Sequence, residues 1–301
     1  MSPSNEPRLS KAERTAQARE KARIIREQQL KKEKRNKLLL IWGVVVAAVL
    51  VVAIVIWAIM ANNTNNAPIP DSGSTPANAN IHGGVILGKD GVTAQPAAQV
   101  NTATLPAQPT EAPAQGAVAK APGVAAEAGK PVKVVAYVDF ICPVCKNFES
   151  TYGSLLDENV KNGKITVEYR PIGLLDTRST TNYSSRAAAA AACVLNVSPD
   201  KYQAYFKALF DQQPAEGSAG LTNDQLKKIA QDVGAKDISS CVDERVYRPF
   251  VKVATMEATA VGVNGTPTIF VDGKQYGTGD VANVQFPELL TQAITAKTAK
   301  K

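Results

Sequence analysis

Apolar and polar positions divide this 301-residue chain into stretches of different character. Residues 38–61 carry no charged side chain, and as a helix they would reach roughly 36 Å, enough to cross the hydrocarbon core of a bilayer. Residues 62–130 are dominated by Ala, Pro, Asn, Thr, Gly and Gln and contain few large apolar side chains. Residues 131–301 are long enough to form one domain with a real core.

Within residues 131–301, the spacing of apolar side chains predicts a mixed α/β domain. Strands are predicted at 133–139, 165–170 and 268–272, where β-branched and aromatic residues are frequent. Helices are predicted at 143–161, 184–197, 199–213, 222–233 and 238–261, the last broken or kinked at Pro249, and from about 286 onward. The predicted order is strand, helix, strand, a block of helices, two strands joined by a turn after 272, and a C-terminal helix.

The net charge of +7 belongs to the N-terminal tail alone. Residues 1–37 contain 12 Lys and Arg against 5 Glu, whereas the remaining 22 basic and 22 acidic residues cancel. This distribution argues against nucleic-acid binding. The basic tail is predicted either as a solvated helix near the anionic headgroups of the lipid bilayer or as a disordered polar segment.

Residues 38–61 are interpreted as an uncleaved, single-pass transmembrane anchor. A signal peptide would have an apolar core of only about 7–15 residues and a small-x-small cleavage site, whereas Ile59-Met60-Ala61 is a poor one. The basic cluster at 31–37 favours a cytoplasmic N-terminus. We therefore expect a cell-membrane protein in which everything after Asn62 lies outside the cytoplasm.

Residues 62–130 are predicted to be a flexible Ala/Pro-rich linker, because they cannot bury enough apolar surface to offset the entropy of ordering. One island, residues 81–92, has a Val-Ile-Leu core and an Asp-Gly turn, which favour a short hairpin or an extra edge strand. The only histidine, His82, lies in this island. It is interpreted as a surface residue, because the island lacks partners for catalysis or metal binding.

The motif Cys142-Pro143-Val144-Cys145 carries the chemistry of the chain. It follows the first predicted strand and opens the first predicted helix, and Pro143 suits the first helical position. The first sulfur is then expected at a helix N-terminus, where unpaired N–H groups and the helix dipole favour a thiolate. A thiolate is both the nucleophile and the leaving group of thiol–disulfide exchange, so the motif indicates redox chemistry without giving its direction.

A second motif agrees with the first. The segment Gly265–Val271, Gly-Thr-Pro-Thr-Ile-Phe-Val, places Pro267 immediately before a predicted strand. With the segment Phe140–Glu149 and the block of helices, it makes residues 131–301 resemble the DsbA-like thiol–disulfide oxidoreductases, most closely their membrane-anchored actinobacterial members. The resemblance implies a thioredoxin-like fold with an inserted helical subdomain at about 177–261.

The same resemblance assigns roles to individual residues. Cys142 matches the exposed attacking cysteine of the family and Cys145 matches its buried partner. Thr266 and Pro267 match the residue and cis-proline pair that docks the backbone of the substrate, and a cis proline is an uncommon feature in proteins.

The remaining cysteines, Cys193 and Cys241, match an extra pair in the actinobacterial relatives. Outside the cytoplasm an even number of cysteines fits two disulfides, and the resemblance implies that this pair is a structural disulfide. Free buried thiols are the alternative. A zinc site is disfavoured because four-cysteine sites need two close ligand pairs as a rule and the chain supplies one, so no metal is expected.

Two positions depart from the best-known periplasmic members of the family. Val144 stands where they have a His that helps to hold the thiolate, and Ala136 stands where they have a buried acid. Asp139 is the nearest candidate to move a proton to or from Cys145, with a structural acid as an equal alternative. Glu149 lies where the family often has an acid on the active-site helix, although a solvated residue is the default. These differences leave the strength of the oxidant open.

The resemblance implies an extracytoplasmic enzyme without a cofactor that donates disulfides to reduced, unfolded secreted proteins. Its reoxidation would need a membrane partner such as a DsbB-like or VKOR-like quinone-linked enzyme. A reductase or isomerase of the same fold is an alternative, favoured by Thr266 and by the missing His. A third hypothesis is a tethered, non-catalytic binding module with a structural Cys142–Cys145 bond, but so short a loop would gain little stability from it.

Overall fold

The computed structural model describes residues 11–299 except 112, 113 and 115, so the first ten residues of the predicted basic tail lie outside the described part. The chain divides into two compact units, residues 1–63 and residues 64–301. The first unit is formed by the long helix α1 (Lys11–Asn66). Within Arg19–Ile56 this helix is long and apolar enough to cross a membrane, and the apolar side chains of residues 38–56 are exposed. The prediction of an N-terminal helix that can span a membrane is confirmed on these grounds.

The second unit is an α/β domain. Its strands in the described residues are β1 (Ser72–Ser74), β2 (Val85–Gly88), β3 (Gly91–Val92), β4 (Gln99–Asn101), β5 (Val132–Val138), β6 (Ile165–Pro171), β7 (Thr268–Val271) and β8 (Lys274–Gln275). Its helices are α2 (Pro143–Lys161), α3 (Tyr183–Val197), α4 (Tyr202–Asp211), α5 (Asn223–Asp232), α6 (Ser239–Asp243), α7 (Arg248–Ala260) and α8 (Phe286–Thr298).

The main sheet has six strands in the order β3-β2-β6-β5-β7-β8. The central strand β5 runs parallel to β6 and antiparallel to β7, with Ala136 opposite Tyr169 on one side and Ile269 on the other. All but one residue of β5 are buried, as expected for a strand that is covered on both faces. The predicted thioredoxin-like α/β fold is therefore confirmed.

A helical subdomain is inserted between β6 and β7, as predicted. Helix α3 is its centre and packs against α4, α5, α6 and α7. The run of alanines from Ala187 to Ala192 is buried, and these small side chains allow the neighbouring helices to approach α3 closely. The predicted capping box at the start of α5 is also present, since the Thr222 hydroxyl accepts from the Gln225 N–H and the Gln225 side chain accepts from the Thr222 N–H.

The single helix predicted at 238–261 is two helices in the structure. Helix α6 ends at Asp243, and α7 begins at Arg248 with Pro249 in its first turn. Between them Arg245 has a positive φ of 60°, a left-handed conformation that ends a helix. Proline is tolerated in the first turn of a helix because its missing N–H has no partner there, so Pro249 marks a helix start instead of a kink.

The structure contradicts the predicted flexible linker over most of residues 62–130. Strands β2 and β3 form the hairpin suggested for 81–92, and β2 extends the main sheet, with Val85 opposite Tyr169. Strands β1 and β4 form a separate two-stranded sheet, and Ala119 and Ala121 are buried in a small apolar cluster. The segment has too few large apolar side chains to form a core of its own. Its small side chains instead pack against the core of the rest of the domain.

Buried charges fix this segment to the sheet. Glu168 and Arg170 on β6 are fully buried and form an ion pair, with the Arg170 Nε 2.7 Å from the Glu168 carboxylate. The Asn80 amide donates to the same carboxylate at 2.9 Å, and Arg170 donates to the carbonyl oxygen of Pro122 at 2.9 Å. A buried ion pair needs its remaining donors and acceptors satisfied, and the N-terminal segment supplies two of these partners, while Lys133 and Tyr137 on β5 supply others.

Candidate active site

The two cysteines of the redox motif lie where the central strand passes into a helix. Strand β5 ends at Val138, and α2 begins at Pro143, with Cys142 as the residue that caps the helix in extended conformation. The Cys142 N–H donates to the carbonyl oxygen of Asp139 at 3.0 Å, which forms a tight turn between strand and helix. The Cys142 sulfur is therefore held at the first turn of α2, beside backbone N–H groups that have no helical acceptor.

The second motif of the sequence, Gly265–Val271, meets the first at this point. The peptide bond between Thr266 and Pro267 is cis, and the Cys142 Sγ lies 3.2 Å from the carbonyl oxygen of Thr266. The Thr266 hydroxyl is buried and has no hydrogen-bond partner among the described residues. The loop before β7 thus brings one carbonyl and one unpaired hydroxyl to the redox motif.

The two thiols are free and both are buried, yet their environments shift their pKa values in opposite directions. A hydrogen bond from the Cys145 thiol, and then Thr266 and the N–H groups of Val144 and Cys145, lower the pKa of Cys142 to about 6 despite its burial. Burial, and then the neighbouring Cys142 sulfur, raise the pKa of the Cys145 thiol. At neutral pH this places the negative charge on Cys142 and the proton on Cys145.

Asp139 lies next to this pair and is fully buried. Its carboxylate accepts from the Ile141 N–H at 3.0 Å and from the Leu175 N–H at 2.8 Å, and its own N–H is 3.5 Å from the Cys145 Sγ. Burial raises the pKa of the Asp139 carboxyl to about 7, although the two backbone donors oppose this shift. The residue therefore holds the active-site turn and titrates near neutral pH.

Glu149 lies one turn further along α2 than Cys145. Its carboxylate accepts from the Tyr169 hydroxyl at 3.1 Å, and in the described residues Glu149 forms no hydrogen bond with either redox sulfur. Burial raises the pKa of Glu149 to about 7, and one of its oxygens has no partner. Glu149 is therefore not the solvated helix residue that the sequence analysis takes as the default.

Val144 and Gln213 complete the surroundings of the motif. The Val144 side chain is 60% exposed, so it presents an apolar surface beside Cys142. Gln213, in the loop after α4, donates from its amide to the carbonyl oxygens of Phe140 and Cys142, both at 3.0 Å. The sequence analysis missed Gln213, since nothing in a glutamine distant in sequence signals such a contact.

The other two cysteines form a disulfide away from the redox motif. Cys193 on α3 and Cys241 on α6 are joined with an S–S distance of 2.06 Å and a Cα–Cα distance of 6.0 Å. Among the described residues no group of three or more His, Cys, Asp or Glu side chains is placed to hold a metal. His82 lies elsewhere and pairs through Nδ1 with Glu257 at 2.9 Å.

Comparison with known proteins places this architecture in a family. A family model described as Thioredoxin matches residues 126–292, more than half of the chain. The chain belongs to the thioredoxin family. The matched range of the thioredoxin-like domain runs from just before β5 into α8 and leaves out β1 to β4.

Individual relatives match parts of the chain. It is 34% identical over 173 residues to the serine/threonine-protein kinase PknE of Mycobacterium tuberculosis. This match covers 54% of this chain and 30% of the kinase. It is 22% identical over 148 residues to the probable disulfide bond formation protein D of Bacillus cereus. This match covers 48% of this chain and 66% of that protein. The chain therefore spans less than a third of the length of the kinase.

A solved structure of DsbA from Mycobacterium tuberculosis, in its reduced form, is also similar to this thioredoxin-like chain. The two share 30% sequence identity with a TM-score of 0.45, and the match covers 61% of this chain and 96% of that one.

Proposed function

We propose that this chain is a membrane-anchored thiol–disulfide oxidoreductase that donates the Cys142–Cys145 disulfide to reduced, unfolded proteins outside the cytoplasm. The contrast between the two thiols carries the proposal. Cys142, with its pKa of about 6, is a good leaving group in its thiolate form, whereas burial raises the pKa of Cys145. Membership of the thioredoxin family supports the same chemistry.

The reaction begins with the pair oxidised. A substrate thiolate attacks the Cys142 sulfur, the bond to Cys145 breaks, and the electron pair goes to Cys145, which takes up a proton. A second thiolate of the same substrate then attacks the substrate sulfur of the mixed disulfide and releases Cys142 as a thiolate. The substrate loses two electrons and gains a disulfide, and the cysteine pair is reduced.

Thr266, Pro267 and Val144 form the docking surface in this proposal. The Thr266 carbonyl oxygen lies 3.2 Å from the Cys142 sulfur, next to the cis peptide bond, and the exposed Val144 side chain offers an apolar contact within the motif. The unpaired Thr266 hydroxyl donates to the thiolate that leaves the mixed disulfide. Asp139 acts as a positioning residue, because it holds the turn before Cys142 through two backbone N–H groups.

The proposed location follows from the N-terminal helix. Helix α1 anchors the chain in the cell membrane with the basic tail in the cytoplasm, because basic residues flank membrane helices on the cytoplasmic side. A quinone-linked partner of the DsbB or VKOR type in the same bilayer then reoxidises the pair, at an effective concentration raised by the shared membrane.

A reductase or isomerase is the second candidate, and one observation favours it. The pKa of about 6 for Cys142 lies closer to the value of roughly 7 for thioredoxin than to the value of roughly 3.5 for DsbA. The reduction potential separates the two functions. A potential near about −120 mV supports the oxidase, and one near about −270 mV supports the reductase.

The test is oxidative refolding of a reduced, disulfide-requiring protein by the full-length chain in detergent. We expect the wild type to accelerate refolding and Cys142→Ser to lose the acceleration, because the attacked sulfur is gone. Ser154→Ala, on the exposed side of α2, is the matched control and should keep full activity. Equal refolding rates with the wild type and Cys142→Ser would overturn the assignment.

A further inference from the structure

Three arginines converge on a small cavity inside the helical subdomain. Arg186 projects from α3, Arg245 from the turn between α6 and α7, and Arg248 from the first turn of α7. The cavity has a volume of about 10 Å³, and Asn223 and Cys241 also line it. The redox motif does not contribute to it, so the cavity is separate from the proposed active site.

These guanidinium groups lie without a carboxylate in contact in the described part of the chain. Among the described residues none of the three forms an ion pair within 4 Å of a carboxylate. Asp176 is the acid whose charge reaches Arg186 and Arg248, but its two oxygens already accept from the N–H and the hydroxyl of Ser185. Arginine side chains are rarely buried without an anion, because desolvating a charge costs several kcal/mol.

The hydrogen bonds of the cluster are also incomplete. Arg186 donates to neutral oxygens, among them the Thr181 carbonyl and the Asn223 side chain at 2.9 Å each. Arg248 is 5% exposed, and its Nε is buried without an acceptor in the described residues. The Nε of Arg245 is also buried without an acceptor there, and the one side-chain hydrogen bond of Arg245 within the described residues goes to the carbonyl oxygen of Ala67. Buried donors without acceptors cost free energy, so an acceptor is missing here.

Burial disfavours the charged forms of these arginines. It lowers the pKa of Arg186 and the pKa of Arg248 to about 10, and the mutual repulsion of the arginines contributes at Arg248. Both groups nevertheless remain protonated at neutral pH. A water molecule would accept the free N–H bonds, but it would leave Asp176, which forms no ion pair with them, to offset three positive charges.

We propose that this cavity binds a small inorganic anion of chloride size between Arg186, Arg245 and Arg248. The volume matches that needed by one water molecule, about 10–15 Å³ on the same scale, so it suits a single monatomic ion and no larger anion. Chloride is somewhat larger than water, and Arg245, which is only half-buried, is the side chain that can move to admit it. The anion compensates the charge and accepts the two free Nε–H bonds.

The test measures thermal unfolding of the full-length chain in detergent, in sodium chloride against sodium gluconate at matched ionic strength. We expect chloride to raise the unfolding midpoint in a saturable way, by about 3 °C, because an anion that binds only the folded state stabilises it. Arg248→Met should lose this rise. Arg178→Met, which removes an exposed arginine outside the cavity, should keep it. A midpoint that does not respond to chloride overturns the proposal.

A second measurement keeps the proposal testable should Arg248→Met fail to fold. Arg245→Met removes a half-buried side chain and should also abolish the response to chloride. Crystals of the wild type soaked in sodium bromide should show an anomalous peak between the three guanidinium groups. An ordered water at that position without an anomalous signal would rule out the anion site.

Discussion

At the scale of single residues, Cys142 and Cys145 show how position decides chemistry for two identical side chains. They are three positions apart, but one sulfur lies at the first turn of α2 against Thr266 and the other lies inside the domain. Donors around the first thiol favour its charged form, whereas burial disfavours the charged form of the second. The order of events in disulfide exchange follows from this difference.

The lowered pKa of Cys142 predicts a thiolate at unusually low pH. The absorbance of the reduced chain at 240 nm, which reports thiolates, should rise with a midpoint near pH 6. Cys142→Ser should lack this transition. A wild-type midpoint near the ordinary thiol value of about 8.5 would contradict the geometry described for the helix terminus.

Glu149 predicts a pH dependence of stability. Burial raises its pKa to about 7 in the folded chain, from about 4.3 in the unfolded chain, so its stabilising effect is complete below pH 4 and is lost as the pH rises through 7. Glu149→Gln retains an oxygen that accepts from Tyr169 and removes the titration. At pH 8 we expect the variant to be more stable than the wild type by on the order of 2 kcal/mol, with little difference at pH 4.

Urea unfolding at pH 4, 6 and 8 measures this effect. Glu158→Gln is the matched control, since Glu158 lies on the same helix and is exposed. The explanation for Glu149 fails if both variants follow the wild-type pH profile.

At the scale of elements, the helical subdomain depends on α3. Its alanine run brings four helices close together, and the Cys193–Cys241 bond ties it to the short helix α6. A five-residue helix has little stability of its own, so this covalent link and the packing around it keep α6 in place.

Removal of that bond should therefore destabilise the domain without changing its redox chemistry. The two cysteines are 48 positions apart, and the chain-entropy model gives about 4 kcal/mol for a loop of this length. We expect Cys193→Ala with Cys241→Ala to lower the free energy of unfolding by up to about that amount. The thiolate transition of Cys142 should stay near pH 6, and a shifted transition would show that the subdomain tunes the active site.

Sequence patterns predicted most of these elements because each pattern is local. The strand–helix unit around Cys142 and the alanine run of α3 are specified by residues adjacent in the chain. Two features were missed because they depend on distant partners. The contact of Gln213 needs the turn at Phe140, and the environment of Glu149 needs Tyr169.

At the scale of the whole molecule, the two units differ in the character of their surfaces. The first carries an apolar helix preceded by the basic cluster at 31–37, and the second is a water-exposed domain of the thioredoxin family with no net charge to speak of. Proteins that carry reactive cysteine pairs meet reduced secreted chains only on the outer side of the membrane, so topology determines which substrates are available.

Orientation can be tested with single cysteines in a Cys142→Ser, Cys145→Ser background. A membrane-impermeant maleimide should label Glu288→Cys, on the exposed side of α8, in intact cells. Lys34→Cys, in the basic tail, is the matched control and should react only after the membrane is permeabilised. Labelling with the opposite pattern would invert the proposed topology.

The hairpin of β2 and β3 has a consequence for the handling of unfolded chains. Without it, the long strand β6 would form one edge of the main sheet, and a free edge invites added strands from any extended polypeptide. With the hairpin in place both edges, β3 and β8, are only two residues long. Under the proposed function, a client with unpaired backbone therefore finds no template for strand addition at the sheet edges. We expect it to be held only at the docking surface around Cys142 and to depart when the exchange is complete.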